Sequence, residues 1–551
     1  MEIQQPILSE GKKAETKEVS GSVALLEALI TEGTEVIFGY PGGAIMPIYD
    51  AIYDYKDKLN HILVRHEQGG IHAGQGFART SGKVGVVFAT SGPGATNLIT
   101  GLADAMIDST PLVCITGQVF AHLLGTDAFQ ETDVINITTP VTKWNYQVTD
   151  ANEIPEVISK AFYIARSGRP GPVLIDITKN AQIQKFDFSG YTPCNHIRSY
   201  RPKPIIRQEY IVKAAELINQ AKKPFIIWGQ GVLVLSYRSS IKCRDVGMHG
   251  NYGPNVLTNE CDVLIAIGMR FDDRVTGRLD KYAKQAKIIH LDIDPSEIDK
   301  NVQTTVPVWG DCKETIPALT ELLEKKDHSE WLSKFREFDK KEFEAVIQTE
   351  LHPKSGELTM GEVIHQLNEL TKGEAVIVTD VGQHQMVACR YAKLNNTRSN
   401  VTSGGLGTMG FALPAAIGAK FGALEKTVVA VIGDGGFQMT IQELGTIMQS
   451  GVDVKILILN NRFLGMVRQW QELFNDNRYS FVDIQSPDFV AVAAAYGIKG
   501  KSVSERSDLN SALEEMLNNK GSFLLEVIVT KENNVFPMVP QGCSVSEIRL
   551  K

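Results

Sequence analysis

A carboxylate and a pair of carboxamides follow two apolar segments near the carboxyl end of the chain. Asp434 lies in the run Gly433-Asp434-Gly435-Gly436, directly after the apolar residues 428–432, and Asn460-Asn461 closes the next apolar segment, 455–459. Carboxylate and amide oxygens are hard ligands that suit Mg²⁺, which also keeps phosphate oxygens and water in its coordination shell. Glycines allow a backbone to approach a diphosphate closely. These residues predict a site for magnesium and a diphosphate.

The elements around these residues are predicted to bring them together. Both apolar segments are short, β-branched and bounded by Gly or Asn, which is typical of buried parallel strands. Between them, apolar residues recur at helical spacing from 441 to 448, and Gly451 supplies a stop. In such a strand–helix–strand unit, Asp434 and Asn461 lie at the carboxyl edge of the sheet. Open α/β sheets bind ligands at that edge.

The first third of the chain repeats this architecture without the metal ligands. A predicted strand at 84–88 runs into the glycine loop 91–94, followed by a helix at 95–108 and a strand at 112–115. Earlier, the strand 61–65 leads into Glu67, which opens a helix. We interpret the first and last thirds as two related α/β domains. A carboxylate in the first turn of a helix is also common as a partner of the helix dipole.

The composition narrows the function classes. With 551 residues, the chain is too long for one core and suggests about three domains. A net charge of −8 gives no basic footprint for nucleic acid. No apolar run approaches the ~20 residues that span a bilayer. Residues 1–19 lack the features of a signal or transit peptide, and the seven cysteines have no CxxC spacing. We therefore expect a cytoplasmic protein that binds neither nucleic acid nor membrane.

The middle of the chain predicts a third parallel sheet. Apolar segments at 224–228, 263–267 and 288–294 have the length and composition of buried strands. Gly229-Gln230-Gly231 follows the first of them. A lone Gly-x-Gly is weak evidence for a nucleotide site, and an ordinary turn is the simpler interpretation.

Longer runs carry a resemblance to one family. Gly-Asp-Gly closed by Asn-Asn resembles the thiamine-diphosphate signature. Seven further runs, which include 247–250 and 537–540, are similar to the acetohydroxyacid synthase (acetolactate synthase) catalytic subunit, and the similarity extends from about Val19 to Glu547. The other five are 124–133, 270–277, 381–386, 404–410 and 465–470.

The resemblance implies an α/β fold of three doubly wound parallel-sheet domains. Residues 19–185 would bind the aminopyrimidine ring of thiamine diphosphate, 205–345 would form an FAD-type middle domain, and 355–551 would bind the diphosphate and Mg²⁺. The middle domain departs from the family near 232–246, where roughly one strand–helix unit is missing. Loss of a strand exposes sheet edges, and this departure lies in the domain that is expected to bind FAD.

The activity implied by the resemblance is acetolactate synthesis. Pyruvate would be decarboxylated on thiamine diphosphate, and the hydroxyethyl unit would pass to a second pyruvate or to 2-ketobutyrate. This is the first common step of branched-chain amino-acid biosynthesis. The expected cofactors are thiamine diphosphate, Mg²⁺ and FAD. The expected partners are a second copy of the chain, in a homodimer or tetramer, and a separate small regulatory subunit.

The resemblance also assigns site residues. Glu67 would hydrogen-bond the pyrimidine ring and favour its imino tautomer. The catalytic set is Glu67, Gln130, Lys143 and Met409. The cofactor-binding set is Gly43, Gln383, Met409, Gly433, Gly435, Gly436, Met466, Gly229 and Asp292. The substrate set is Phe129, Met248, Arg274 and Trp470, and the metal ligands are Asp434, Asn461 and the carbonyl of Phe463.

Alternatives remain open for single residues and for the whole chain. Met409 could be an ordinary core methionine, and Arg274 could form a surface ion pair with Asp272 or Asp273. The chain could be another pyruvate-using member of the superfamily, such as an oxidase or a decarboxylase. It has no His-His pair of the kind that decarboxylases tend to carry. It could also be an impaired, non-catalytic relic that still binds thiamine diphosphate.

Overall fold

The structure is a computed structural model that describes residues 16–229 and 245–551. The described residues form three parallel sheets and one two-stranded antiparallel ribbon. No helix in these ranges is long and apolar enough to cross a membrane. The three-domain α/β fold predicted from the sequence is confirmed.

The first sheet has six strands in the order β3-β2-β4-β5-β7-β6. An antiparallel ribbon of β1 and β8 lies beside it. The strands are β1 (Lys17–Ser20), β2 (Val36–Gly39), β3 (Asn60–Leu63), β4 (Gly85–Ala89), β5 (Leu112–Gln118), β6 (Trp144–Val148), β7 (Pro172–Thr178) and β8 (Lys185–Phe188). The helices are α1 (Gly21–Thr31), α2 (Met46–Ile52), α3 (Glu67–Ser81), α4 (Pro93–Thr96), α5 (Ile99–Ile107), α6 (Val134–Thr138), α7 (Ile154–Arg166) and α8 (Lys179–Ile183).

The middle sheet has four strands within the described ranges, in the order β12-β11-β10-β9. The shortened segment predicted near 232–246 falls largely on residues 230–244, which lie outside the described residues. The strands are β9 (Pro224–Trp228), β10 (Val263–Ile267), β11 (Lys287–Asp292) and β12 (Val306–Trp309). The helices are α9 (Gln208–Gln220), α10 (Tyr252–Thr258), α11 (Asp273–Thr276), α12 (Cys312–Thr320), α13 (Ser329–Glu342) and α14 (Gln348–Leu351).

The last sheet also has six parallel strands, in the order β14-β13-β15-β16-β18-β17. Numbered within their own sheets, both six-stranded sheets follow the order 2-1-3-4-6-5. The strands are β13 (Val376–Thr379), β14 (Asn400–Thr402), β15 (Val428–Gly433), β16 (Lys455–Asn460), β17 (Lys499–Val503) and β18 (Phe523–Ile528). The helices are α15 (Met360–Thr371), α16 (Gln383–Tyr391), α17 (Ala412–Gly422), α18 (Asp434–Met439), α19 (Leu444–Ser450), α20 (Gly465–Phe474), α21 (Phe489–Ala495) and α22 (Arg506–Asn518).

Two glycines allow the first and last domains to pack closely. Helix α3 lies against α17, and a Cβ added at Gly418 would collide with the carbonyl oxygen of Ala73. A Cβ at Gly76 would collide in the same way with the carbonyl oxygen of Ala415. The two helix backbones therefore touch directly. This contact connects the element that begins with Glu67 to the last domain of the same chain.

Candidate active site

Asp434 and the Asn-Asn pair occupy adjacent strand ends of the last sheet. Strands β15 and β16 pair in parallel with Gly433 opposite Leu459. Asp434, the first residue of α18, therefore lies beside Asn460 and Asn461. Its carboxyl group is buried, and the hydroxyl of Ser486 donates a hydrogen bond to it at 3.4 Å. Burial raises the pKa of Asp434 to about 7, so a cation beside it would stabilise the charged form.

Asn461 is connected to Gln383 by a hydrogen bond. The amide of Asn461 donates to Oε1 of Gln383 at 3.4 Å, and its own oxygen accepts from the backbone N–H of Phe463 at 3.2 Å. Gln383 in turn donates to Oε1 of Gln469 at 2.9 Å. The predicted metal ligands and the predicted cofactor residue Gln383 are thus brought together. Gln469, which holds Gln383, was not predicted from the sequence.

The donor set at this edge fits Mg²⁺. Among the described residues, no group of three or more His, Cys, Asp or Glu side chains could hold a metal. The edge instead offers one carboxylate, one amide oxygen and backbone carbonyls, all of them oxygen donors. Mg²⁺ is commonly held by one or two carboxylates together with water and substrate phosphates.

His384 is a second residue that sequence reasoning missed. It follows Gln383 on α16, and its Nδ1 would lie 2.8 Å from a Cβ added at Gly433. Its Nε2 is buried without a hydrogen-bond partner. Burial lowers the pKa of His384 to about 3, so the ring is neutral. The ring thus packs against Gly433 through its Nδ1 side, and its Nε2 is a separate buried nitrogen without a protein partner.

Met409 lies over the glycine run. Its methyl carbon would be 4.0 Å from a Cβ added at Gly435. Residues after Met409 are held by the buried carboxylate of Asp380, which accepts from the N–H groups of Gly410 at 3.0 Å and Ala412 at 2.9 Å. A Cβ at Gly436 would collide with the same carboxylate. The loop therefore places Met409 beside the backbone that would hold a diphosphate.

Glu67 stands at the carboxyl edge of the first sheet. It opens α3, is buried, and accepts a hydrogen bond from the side-chain amide of Asn97 at 2.9 Å. A Cβ added at Gly94 would lie 3.2 Å from its Oε1. Burial and the nearby charge of Glu67 both raise the pKa of Tyr49. Glu67 is thus held in a confined site by loops that follow the strands.

Other predicted residues surround this first edge. The carbonyl oxygen of Gln130 would lie 2.8 Å from a Cβ added at Gly92, so Gln130 packs on the loop that approaches Glu67. Phe129 is 88% exposed. Gly43 lies after β2, where the next residue, Ala44, donates a backbone hydrogen bond to Thr90 at 3.3 Å. Gln130 and Gly43 therefore border the same edge as Glu67.

The ammonium group of Lys143 forms its hydrogen bonds at the end of helix α7. Its ammonium donates to the carbonyl oxygens of Ile164 and Ser167 at the end of α7, and to the hydroxyl of Tyr200 at 3.1 Å. Burial lowers the pKa of Lys143 to about 8. These contacts do not bring its ammonium to Glu67, and its assignment to the reaction space stays a prediction.

Two of the four predicted substrate residues are in contact. A guanidinium nitrogen of Arg274 lies 3.7 Å from the sulfur of Met248 and 3.8 Å from the carboxylate of Asp273. The side chain of Arg274 is 64% exposed. Trp470 packs at a tilt against Phe474 along α20, with ring centroids 5.0 Å apart, and Met466 lies one turn earlier. Arg274 thus forms the ion pair that the sequence left open, yet keeps most of its surface free.

A large cavity opens beside the middle sheet. The described residues around it enclose about 2340 Å³, and Gly229 and Asp292 both line it. A Cβ at Gly229 would lie 2.7 Å from the carbonyl oxygen of Gly268, so the ends of β9 and β10 approach closely. Burial raises the pKa of Asp292 to about 6. Glycine and a carboxylate at strand ends fit a nucleotide-type ligand.

The first and last domains of one chain also meet near Glu67, where the backbone N–H of Arg65 donates to the carboxylate of Glu443 at 3.2 Å. In the described part of the chain, no hydrogen bond or ion pair joins Glu67 to Asp434 or Asn461. Glu67 therefore belongs to the edge of the first sheet, and Asp434 and Asn461 belong to the edge of the last sheet.

The chain matches three families of thiamine pyrophosphate enzyme domains. The N-terminal TPP binding domain matches residues 19–137, the central domain 233–319 and the C-terminal TPP binding domain 380–527. With the strand order and the Asp434 edge, these matches define a thiamine-diphosphate-dependent enzyme.

Full-length relatives narrow the class. The acetolactate synthase isozyme 2 large subunit of Escherichia coli K12 is 41% identical over 558 residues, which cover 96% of this chain and 99% of that protein. The large subunit of Porphyra purpurea is 41% identical over 569 residues (96% and 95%), and the probable large subunit of Methanocaldococcus jannaschii is 42% identical over 565 (96% and 95%). The chain belongs to the acetolactate synthase large-subunit family.

Proposed function

We propose that this acetolactate synthase joins two 2-keto acids with release of CO₂, taking pyruvate first and then pyruvate or 2-ketobutyrate. The observation that carries the proposal is the pairing of a confined Glu67 with an oxygen-only Asp434–Asn461 edge on two sheets of the same strand order. The reaction needs no net oxidant, since two keto acids give one acetohydroxy acid and CO₂.

Glu67 is proposed to act on the cofactor ring. Thiamine diphosphate, when bound, supplies the electron sink for decarboxylation. The carboxyl group of Glu67 would share a proton with a pyrimidine nitrogen, as its burial and its confinement by Gly94 and Asn97 allow. A carboxyl group in such a site can exchange a proton with a bound base without competition from water.

The last domain is proposed to hold the charged end of the cofactor. Asp434, Asn461 and the carbonyl of Phe463 would hold Mg²⁺. Gly433, Gly435 and Gly436 would let the diphosphate approach the backbone, with Gln383 and Met466 beside it. The neutral ring of His384 would donate to a phosphate oxygen, which would satisfy its buried Nε2. Met409 would support the cofactor so that its two rings face each other.

The second keto acid is proposed to bind near Arg274. A planar guanidinium suits a carboxylate, and most of the side chain is free to receive one. Met248, already in contact with Arg274, and Trp470 would flank the alkyl group. Phe129, Gln130 and Lys143 would border the entrance and the reaction space.

FAD is proposed for the cavity beside the middle sheet. Gly229 would admit its diphosphate, and Asp292 would hydrogen-bond a ribose hydroxyl. Since the reaction is redox-neutral, FAD there would be structural in effect. Removal of FAD should therefore lower the thermal stability of the enzyme without changing the identity of the product.

The complete site is proposed to form between two chains. Large apolar side chains are exposed near the carboxyl edges of the first and last sheets. Exposed apolar surface of this kind is typical of protein interfaces. They are Tyr40, Met46, Phe129, Leu406, Met439 and Phe481. A homodimer, or a tetramer of two such dimers, would bring Glu67 of one chain to Asp434 of the other.

Further assignments follow from the family. We infer domain boundaries at 19–185, 205–345 and 355–551. The relatives are named as large subunits, and we infer a separate small regulatory subunit for this chain too. We also infer a cytoplasmic location.

The experiment is acetolactate formation from pyruvate by the purified chain. Thiamine diphosphate, Mg²⁺ and FAD are supplied together and then omitted one at a time. The proposal expects acetolactate with the full set, and none without thiamine diphosphate or Mg²⁺. Acetaldehyde or acetate as the main product would instead indicate a decarboxylase or an oxidase. A folded, cofactor-bound chain that releases no CO₂ would indicate the relic.

A further inference from the structure

We propose that Asp104 and Asp108, on helix α5 and just after it in the first domain, are positioning residues that clamp the glycine loop 403–408 and thereby place Met409. The inference rests on the role proposed above for Met409. It concerns contacts within one chain, between a helix of the first sheet and a loop of the last sheet.

Asp108 accepts two consecutive backbone amides of the loop. Gly404 donates to Oδ2 at 2.8 Å and Gly405 donates to Oδ1 at 2.8 Å. A Cβ at Gly405 would lie 2.8 Å from the same carboxylate, so the approach requires glycine. Arg79 donates to Oδ2 at 3.0 Å and holds the carboxylate from the other side.

Asp104 holds the two ends of the same loop. Its Oδ1 accepts from the hydroxyl of Ser403 and, at 3.3 Å, from the hydroxyl of Thr408. Asp104, Ser403 and Thr408 are all buried. Buried charge-assisted hydrogen bonds of this kind are the stronger ones. The loop between these ends reaches outward, with Leu406 exposed.

The segment that carries Met409 is therefore held on both sides. Before it, Asp104 and Asp108 bind residues 403–408. After it, Asp380 accepts the amides of Gly410 and Ala412. The ring of Phe411 packs against His72 and under the guanidinium of Arg79, with ring centroids 5.2 Å apart and the guanidinium 5.5 Å from the ring centre. Helix α3 thus contributes to this clamp as well as presenting Glu67.

The test compares Asp108→Asn with a matched control. The asparagine keeps one acceptor oxygen but turns an N–H₂ donor toward the second amide. Asp262 in the middle domain also accepts two consecutive backbone amides, from Lys222 at 2.7 Å and Lys223 at 2.9 Å. Asp262→Asn therefore loses the same kind of interaction far from the loop.

Three kinds of measurement are made on each full-length variant. They are hydrogen exchange of the peptide 400–411, the affinity for thiamine diphosphate with Mg²⁺, and kcat and KM for pyruvate at saturating cofactor. For Asp108→Asn we expect faster exchange, about tenfold weaker cofactor binding and a lower kcat with little change in KM. Asp262→Asn should leave all three unchanged. Thr408→Val, which removes only a hydroxyl donor to Asp104, should shift the same quantities in the same direction by less.

Two results would overturn the clamp. One is parent-like exchange of peptide 400–411 in Asp108→Asn. The other is faster exchange with cofactor affinity and kcat within twofold of the parent in both Asp108→Asn and Thr408→Val. If Asp108→Asn fails to fold, Thr408→Val alone decides. If the parent makes no acetolactate, the proposed reaction fails, yet the exchange and affinity measurements still decide the clamp.

Discussion

The first and last sheets share the strand order 2-1-3-4-6-5, but their carboxyl edges carry different chemistry. The first edge offers a confined carboxyl group, Glu67, among glycine loops. The last edge offers Asp434, Asn461 and a histidine nitrogen without a partner. Identical topology therefore does not determine what an edge binds. The residues that follow the strands do, so the two edges should respond differently to matched substitutions.

The largest effect should come from the first edge. Glu67→Gln keeps the size and the contact with Asn97 but cannot share a proton with a cofactor ring. Loss of such a proton transfer costs about 10²–10⁴-fold in rate. We expect kcat to fall by that amount while the Mg²⁺ concentration for half-maximal cofactor binding stays unchanged. A large shift in the Mg²⁺ requirement would mean that the two edges are not functionally distinct.

The next effect should come from the last edge. Asp434→Asn removes the single carboxylate among the proposed Mg²⁺ ligands. We expect the half-saturating Mg²⁺ concentration to rise about 10–100-fold, with activity partly restored by excess Mg²⁺. The control is Asp280→Asn in the middle domain, whose exposed carboxylate pairs with Arg278 at 2.8 Å. Equal Mg²⁺ titrations of the parent and Asp434→Asn would contradict the assignment.

A smaller effect is expected on the choice of second substrate. 2-Ketobutyrate exceeds pyruvate by one methylene, worth about 10–200-fold in a fitted pocket. Trp470→Leu should lower the preference for 2-ketobutyrate roughly tenfold while acetolactate formation from pyruvate survives. Trp309→Leu, at a half-exposed tryptophan of the middle sheet, serves as the control. The check is the product ratio with both keto acids present, and an unchanged ratio would remove Trp470 from the pocket.

The smallest effect concerns stability and pH. Burial raises the pKa of both Asp434 (to about 7) and Asp176 of the first domain (to about 6). The folded chain then holds a proton that the unfolded chain has lost, so stability falls as pH rises from about 4 through these values. Substitution by Asn removes this loss. Without Mg²⁺, each Asn variant should gain stability relative to the parent over that interval, on the order of 2 kcal/mol.

Adding Mg²⁺ and thiamine diphosphate should change the stability effect of the Asp434 substitution but not that of the Asp176 substitution. Asp176 is satisfied within the protein, by Thr116 at 2.6 Å, Gln147 at 2.9 Å and Gln118 at 3.1 Å. The difference in stability between Asp176→Asn and the parent should therefore persist when Mg²⁺ and thiamine diphosphate are added. The difference in stability between Asp434→Asn and the parent should reverse, because only the parent binds Mg²⁺ and is stabilised by it. Thermal unfolding of the three proteins at pH 5 and pH 8 measures this, and parallel behaviour would make Asp434 an ordinary buried carboxylate.

Local sequence patterns were sufficient to predict where the strands end. They were not sufficient to predict the side-chain contacts made at those ends. Apolar segments bounded by glycine and asparagine predicted β15 and β16, and Gly451 ends α19 with a positive φ of 67° as expected. The helix between them is split into α18, a 3₁₀ turn and α19, which periodicity alone does not reveal. The adjacency of Asp434 and Asn461 followed from parallel pairing.

Residues whose partners lie far away in the chain could not be identified from the sequence. Nothing local distinguishes Asp104 and Asp108 from other helical carboxylates, since their partners lie some 300 residues away in the chain. His384 is notable only because packing leaves its Nε2 buried without a partner. Lys143 lies among carbonyl oxygens because α7 and Tyr200 meet there in the fold. Such environments are set by tertiary packing.

The most direct test of a site shared by two chains is complementation. Glu67→Gln and Asp434→Asn are each expected to have low activity, and the two are unfolded or dissociated and reassembled together. If one site combines the first domain of one chain with the last domain of the other, half of all dimers are mixed, and each mixed dimer regains one of its two sites. Activity should then reach about a quarter of the parent. Activity no higher than that of the separate variants would contradict the account, because it would place both edges of each site within one chain.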